Sequence, residues 1–313
     1  MTITAKVIAD SVSPEGIRLS TLQCRYPKFI HGEAKTHRVM RVGDQAYELL
    51  EEVGFMDYPE FSRNASSSRA IPVSRLIQDV MDDPAMPVSW GRNRPGMQAT
   101  EELEGEERQR AIDAWLFARD DAVKNANRLN AMGVHKQLVN RVIEPWCHIN
   151  VVATATELGN FFALRRHPAA QPEMKALADA MWDALQASAP RLLRHGEWHL
   201  PYVTDEEFNI LGGLTAGEPY GNDWDSFIKL SVARCARVSC LTQEGKPPSV
   251  EDDLKLYDRL VGSKPLHASP AEHQATPDYW HENEGMGFRG YGHRDLHGNL
   301  NGWIQYRKQL EKR

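Results

Sequence analysis

Apolar and polar residues alternate over Lys6 to Val12 and again over Ile17 to Arg25, on either side of Ser13-Pro14-Glu15-Gly16. A period of two puts every second side chain on one face of a strand, and a Pro-Gly cluster between two such runs predicts a hairpin. The period then lengthens. Pro27 to Met40 predicts a short helical stretch, and Gln45 to Val53 has helical spacing through Ala46, Leu49, Leu50 and Val53. Val73 to Met81 repeats it with Leu76, Ile77 and Val80, and Pro84 and Pro87 end that piece. Thr100 to Met132 reads as one long helix or two stacked ones, with Ile112, Trp115, Leu116, Leu129 and Met132 along a stripe and Gly133 as the break. Further helices are predicted over Lys136 to Ile143 (stopped by Pro145), Leu158 to Arg165, Glu173 to Ala187, Asp225 to Ala236 and Val250 to Leu260, with a joint at Pro168 and Pro172. Ile149-Asn150-Val151-Val152 is too short to assign. Trp198 to Val203 reads as a strand leading into a loop that holds Gly212, Gly213, Gly217, Pro219 and Gly221. No low-complexity linker divides the chain, so one α+β domain over 1–313 is expected, with long surface insertions.

Composition narrows the classes. The 313 residues are 41% apolar and 26% charged, an ordinary balance for a soluble globular protein with a sizeable core. A net charge of −6 argues against binding polymeric nucleic acid, which needs a basic face, whereas a small anion needs only a local cluster of arginines. No apolar run reaches about 18 residues and Met1-Thr2-Ile3-Thr4-Ala5-Lys6 lacks the apolar stretch of a leader, so no membrane partner and a cytoplasmic location are expected. Cys24, Cys147, Cys235 and Cys240 have no CxxC spacing and are too few for a disulfide scaffold, which predicts reduced and mostly buried thiols. His267, His273, His281, His293 and His297 crowd the C-terminal third without HExxH or Cys/His pairing, so no metal is expected. Gly285 to Gly290 spells GxGxxG, but no buried strand precedes it and no helix follows, so the dinucleotide reading fails. There is no GxxxxGK[ST] phosphate loop and no GxSxG elbow.

Binding chemistry concentrates in Ser62-Arg63-Asn64-Ala65-Ser66-Ser67-Ser68-Arg69, three hydroxyls and an amide between two arginines, followed at once by Ala70-Ile71-Pro72-Val73. Hydroxyls and guanidinium forks give charge-assisted hydrogen bonds to phosphate oxygens. A solvated Ser-rich loop is the alternative for this run taken alone.

Other fragments favour the first reading. Asn64, Ser67 and Arg69 fit Asn-x-x-Ser-x-Arg, and Thr36-His37-Arg38 fits an Arg-His-Arg motif with its first Arg replaced. Asn160-Phe161-Phe162-Ala163-Leu164-Arg165 is followed by Ala170-Gln171-Pro172-Glu173, and Gly133-Val134 precedes Arg141. Near the other end stand Ala236-Arg237-Val238-Ser239 and His267-Ala268-Ser269-Pro270-Ala271-Glu272-His273. Together these resemble the flavin-dependent thymidylate synthases, whose flavin-binding elements come first in the chain. Here the order is rotated, as a circular permutation of the fold implies, and the fragments span about half of the chain. The resemblance implies helices packed on a mainly antiparallel sheet, with 1–190 as the nucleotide-binding part and 225–313 as the permuted flavin-binding part.

It also implies a reaction: reductive methylation of dUMP to dTMP with FAD, methylenetetrahydrofolate and NADPH, in a homotetramer with sites between subunits. Ser67 and Arg69, with Arg141 and Ser66, would grip the 5′-phosphate. Arg165 would sit against the uracil edge as the catalytic cation, with Glu33 also on the substrate side. His37, Arg38, Asn160, Ser239, His267, Ser269 and Glu272 would bind the flavin. No cysteine nucleophile is required.

Several positions depart from the family pattern. Thr36 replaces the first Arg of Arg-His-Arg, Glu33 the Gln before it, and Ala65 the acid after Asn64. Thr154 and Thr156 stand where the family's flavin-contacting helix has Asn and Arg, and Arg41 to Phe61 separate two motifs that are nearly contiguous in the family. A carboxylate at 33 accepts but does not donate, which suits a donor edge such as the exocyclic amine of cytosine. Three readings stay open: a thymidylate synthase, an enzyme alkylating another pyrimidine nucleotide such as dCMP, and a noncatalytic flavin- or nucleotide-binding homologue.

Overall fold

The computed structural model describes residues 3–35, 38–41, 56–59, 62–96, 98–204, 206–207, 224–238, 248–262, 269–283 and 288–312. Its strands are β1 (Thr4–Val12), β2 (Arg18–Pro27), β3 (Arg38–Arg41), β4 (Met56–Pro59), β5 (Ser62–Ala65), β6 (His148–Ala155), β7 (Arg191–Leu192), β8 (Ala275–Pro277), β9 (Trp280–Asn283), β10 (Phe288–Tyr291) and β11 (Trp303–Gln305). Its α-helices are α1 (His31–Lys35), α2 (Val73–Asp82), α3 (Gly105–Ala131), α4 (Lys136–Val139), α5 (Gly159–Arg165), α6 (Pro172–Gln186), α7 (Trp224–Arg237), α8 (Val250–Val261) and α9 (Tyr306–Glu311).

The expected hairpin is β1 and β2, closed where Gly16 takes φ 83° and donates its amide to Ser13 O at 2.9 Å. It becomes the middle of a five-stranded sheet ordered β5-β6-β2-β1-β7, antiparallel throughout except for the short β1–β7 pairing. The unassigned Ile149 to Val152 lie in β6. Neighbours along a strand face opposite sides. Ile149, Val151, Ala153 and Ala155 pack against Phe161 and Phe162 of α5 and Met174, Leu177 and Met181 of α6. Val152 turns the other way, to Tyr202, Cys235 and Val238. A strand covered on both faces shows no alternation, which is why the run resists assignment from sequence.

A second apolar cluster joins Val73, Leu76 and Val80 of α2 to Ala126 of α3 and to Val139, Ile143 and Trp146. The 27-residue α3 buries only Ala126 fully, and Gly133, at φ 79°, follows its end. A third cluster joins Phe227, Ile228 and Leu230 of α7 to Tyr257 of α8 and Tyr306 of α9. No helix among the described residues is long and apolar enough to cross a membrane.

Three expectations are corrected. Pro27 to Met40 is not one helix: a 3-10 turn over Lys28–Ile30 leads into α1, and Arg38–Arg41 is a strand paired with β4 inside the inserted segment. Lys136 to Ile143 is α4 tightening into a 3-10 turn over Asn140–Trp146 that runs through Pro145, a residue with no amide proton for an α-helical bond. Trp198 to Val203 is not a strand. Only His199 bridges, its amide donating to Ala275 O at 2.8 Å, and the chain turns at Tyr202 (φ 65°) because His199 and Tyr202 bury their side chains over the sheet's face. The helix expected over Gln45 to Val53 and the loop over Gly212 to Gly221 lie outside the described residues.

Candidate active site

The Ser62 to Arg69 run is half strand and half turn. In β5, Ser62 and Asn64 face α7 while Arg63 and Ala65 face the other way: Arg63 donates to Ala34 O at 2.7 Å and Ala65 packs on the α5–α6 cluster. Ser66 continues the ladder, its amide donating to Asn150 O (2.9 Å) and its hydroxyl accepting from Asn150 N (3.2 Å). The chain then turns, with Ala70 N donating to Ser67 O at 3.0 Å. Ser68 points inward, 3.1 Å from both Lys28 Nζ and Glu144 Oε1, and those two form an ion pair. Asn140, fully buried, donates to Ser68 O (2.7 Å) and Ile71 O (3.0 Å), which sets the backbone of Arg141 beside the turn. Ser67, Arg69 and Arg141 are exposed, and among the described residues their side chains have no hydrogen-bond or ion-pair partner. A hydroxyl and two uncommitted guanidinium groups on a braced turn are equipped to hold a phosphate.

Asn64 is the junction of the site's other half. Its amide nitrogen donates to Cys235 O at 2.7 Å and Ala236 O at 3.4 Å, at the end of α7, and its oxygen lies 3.4 Å from Ser269 Oγ. Ser269 opens a 3-10 turn over Ser269–Glu272. Glu272 at its end pairs with Arg307, and Gln305 Nε2 donates to Glu272 O (3.1 Å) and Ser62 Oγ (3.2 Å). Burial holds the Glu272 carboxyl above the usual carboxylate range, against the pull of the Arg307 charge. Arg307 was not foreseen: it lies 35 residues from Glu272, and no local pattern connects them.

Arg165 and Asn160 belong to α5, on the α5–α6 face of the sheet. Asn160 is exposed, and Arg165 has its Nε buried with no hydrogen-bond partner among the described residues. No hydrogen bond or ion pair among the described residues joins Arg165 to Ser67, Arg69 or Arg141. α5 leaves the Ala155 end of β6, whereas the Ser67 turn leaves β5 beside Asn150, nearer the other end. Glu33 is exposed on α1 and Arg38 begins β3. His37, Ser239 and His267 lie outside the described residues. Thr154 and Thr156 are not on a helix: Thr154 is inside β6, an inner strand of the sheet, and Thr156 follows its end.

Cys24, Cys147 and Cys235 are free and buried, and Cys240 lies outside the described residues. Burial pushes the Cys24 and Cys147 thiols up to about 12, far from a reactive thiolate. Among the described residues no group of three or more His, Cys, Asp or Glu is placed to hold a metal ion. His293 Nδ1 and His297 Nε2 instead meet the buried Asp278 at 2.9 and 2.8 Å. The GxGxxG letters end in β10, which pairs back on β9 as a hairpin arm.

Residues 21–191 match the model of a family described as thymidylate synthase complementing protein. Two crystal structures of a UMP/dUMP methylase, PolB from Streptomyces cacaoi, bound with 5-Br dUMP and 5-Br UMP, superpose with TM-scores of 0.40 and 0.41 at 15% identity. Each covers 58% of this chain, and 89% and 88% of theirs. No curated protein matches the chain.

Proposed function

We propose, from the premise that this chain belongs to the thymidylate synthase complementing protein family, the flavin-dependent thymidylate synthases, and is a methyltransferase of that class, that it methylates dUMP to dTMP with FAD as cofactor and methylenetetrahydrofolate and NADPH as co-substrates. The observation that carries the reading is Asn64. Three fragments that resemble one family site, at Asn64, Ala236 and Ser269, meet within hydrogen-bond distance around its amide although 205 residues of chain separate the first from the last. That meeting also supports reading the rotated order as a circular permutation, with 1–190 as the nucleotide-binding part and 225–313 as the flavin-binding part.

The residues at the junction fit a flavin dinucleotide. Ser269 is exposed beside Asn64, and the buried His273 Nε2 has no hydrogen-bond partner among the described residues, while Asn160 is exposed on α5 across the sheet. Ser269, Glu272 and Asn160, with Ser239, His267, His37 and Arg38, are the residues assigned to hold it. When bound, FAD supplies the one-carbon transfer and hydride chemistry that side chains lack.

The chain's own residues bind and orient. Ser67, Arg69 and Arg141 grip the 5′-phosphate, each charge-assisted bond contributing about 1.5 to 3 kcal/mol, while Ser66 braces the turn against β6. Arg165 stabilises the N3-deprotonated uracil and so raises electron density at C5; fixed positive charge at a developing anion is a large catalytic contribution. Its buried Nε, which lacks an acceptor, supports that role, because a ligand oxygen would satisfy it. The resemblance to the family, in which the site forms between subunits, assigns the completed site to neighbouring copies in a homotetramer.

A second reading, methylation or hydroxymethylation of another pyrimidine nucleotide such as dCMP, is favoured by the exposed Glu33, whose carboxylate suits an amine edge. Mass spectrometry of the product formed from dUMP or dCMP with methylenetetrahydrofolate, NADPH and FAD decides between them. dTMP with tritium released from C5-labelled dUMP is the expected result. A product from dCMP alone selects the second reading, and no product from either leaves a noncatalytic homologue.

A further inference from the structure

A line of buried polar side chains crosses the sheet on its α7 side, and apart from its end at His273 the proposed chemistry assigns it no role. Ser11 Oγ lies 2.8 Å from His199 Nδ1, and His199 Nε2 lies 2.8 Å from Thr21 Oγ1. Thr21 Oγ1 lies 2.6 Å from Thr154 Oγ1, which lies 2.8 Å from His273 Nδ1. None of the five residues is more than 5% exposed. At His273 the line stops, because Nε2 is buried with no hydrogen-bond partner among the described residues.

Burial pushes both imidazoles down to about 3, so near neutral pH each ring is uncharged and has one N–H. Each hydroxyl also has one proton, so five protons serve four bonds and one is left over. If Ser11 donates inward, both rings are protonated on Nε2, and the spare proton sits on His273 Nε2. If the line runs the other way, both rings are protonated on Nδ1, His273 Nε2 is a bare acceptor, and the Ser11 hydroxyl holds the spare. With Nδ1–H on His199 and Nε2–H on His273, the two threonine oxygens would face each other at 2.6 Å with no proton between them. The converse strands a hydroxyl on Thr21 or Thr154, both fully enclosed, at the cost of desolvating a donor that has no acceptor.

We propose that Ser11, His199, Thr21, Thr154 and His273 form one polarised hydrogen-bond chain, and that a bound flavin accepting from His273 Nε2 turns every member, the distant His199 included, to the Nε2–H sense. The flavin part rests on the assignment of the Ser269–Glu272 turn to FAD; the pairing of the two tautomers does not. Ser11, His199, Thr21 and Thr154 are then positioning residues acting through His273, and the two threonines are the link between the rings.

Nitrogen-15 NMR of histidine-labelled protein tests this, with the two ring signals identified by their loss in His199→Gln and His273→Gln. In the free protein the two rings are expected in the same tautomer, and with FAD bound both are expected as Nε2–H. Thr154→Val should abolish the response of His199 to FAD, and Thr154→Ser should restore it. Opposite tautomers in the free protein overturn the chain, as does FAD-bound protein with either ring protonated on Nδ1. If FAD is not retained, the flavin assignment fails, while the tautomers of the free protein still decide whether the chain exists.

Discussion

Arg165 and the two guanidinium groups at the turn are proposed to play different parts, and substitution should separate them. Arg165→Ala is expected to abolish turnover with only modest loss of flavin, read by steady-state assay and by the flavin absorbance of the purified variant. Unchanged turnover would refute its role. Among titrating residues, burial pushes His199 and His273 down to about 3, and burial with the nearby Arg25 charge pushes His148 to about 4. The unfolded chain protonates all three near pH 6.5 while the native chain does not. Their contribution is therefore fully present above pH 6.5 and is lost as pH falls toward 4, at about 1.4 kcal/mol per pH unit for each histidine. Urea midpoints at pH 7.5, 6 and 5 should fall in that order, and His199→Gln should flatten the trend. Residue types were legible before residue positions. The hydroxyls and arginines of Ser62 to Arg69 suggest anion binding, yet only packing shows that Ser68 turns inward to Lys28 and Glu144 while Ser67 and Arg69 have no side-chain partner among the described residues.

Elements with clean periodicity read well from sequence: the β1–β2 hairpin, α2, α6, α7 and α8 fall within a few residues of expectation. The failures have physical causes. β6 is apolar on both faces and so shows no period, and Trp198 to Val203 has a strand's composition but spends it on the face of the sheet. α8 has a signal of its own at its start. Ser249 accepts from Asp252 N at 3.1 Å, and the Asp252 side chain returns to the Ser249 amide, a capping box. Ser249→Ala should cost about 1 kcal/mol of stability, seen as a lower thermal midpoint with unchanged flavin content. A loss within error would mean that the packing of Tyr257 and Leu256 alone holds the helix.

At the scale of the whole molecule, the turn at Ser67 to Ala70 and α5 lie on separate elements, and the site proposed to form between subunits needs both. Two inactive variants, Arg69→Ala and Arg165→Ala, should then rescue each other. Co-expressed so that mixed oligomers form, they are expected to recover a sizeable fraction of wild-type activity, whereas either alone stays inactive. No recovery in confirmed mixed oligomers would place the whole site within one chain. Residue order alone carried the fold class, most of the helices and the family whose scattered motifs the chain holds. Those properties depend on residue type and short-range spacing, which a linear chain displays directly. Packing alone shows that β6 is an inner strand of the sheet, that Asn64 clasps Ala236 and Ser269, that Arg307 holds Glu272, and that His199 and His273 lie on one line of hydrogen bonds. Each of those depends on residues brought together across tens to hundreds of positions, where local periodicity has nothing to register and burial sets the outcome.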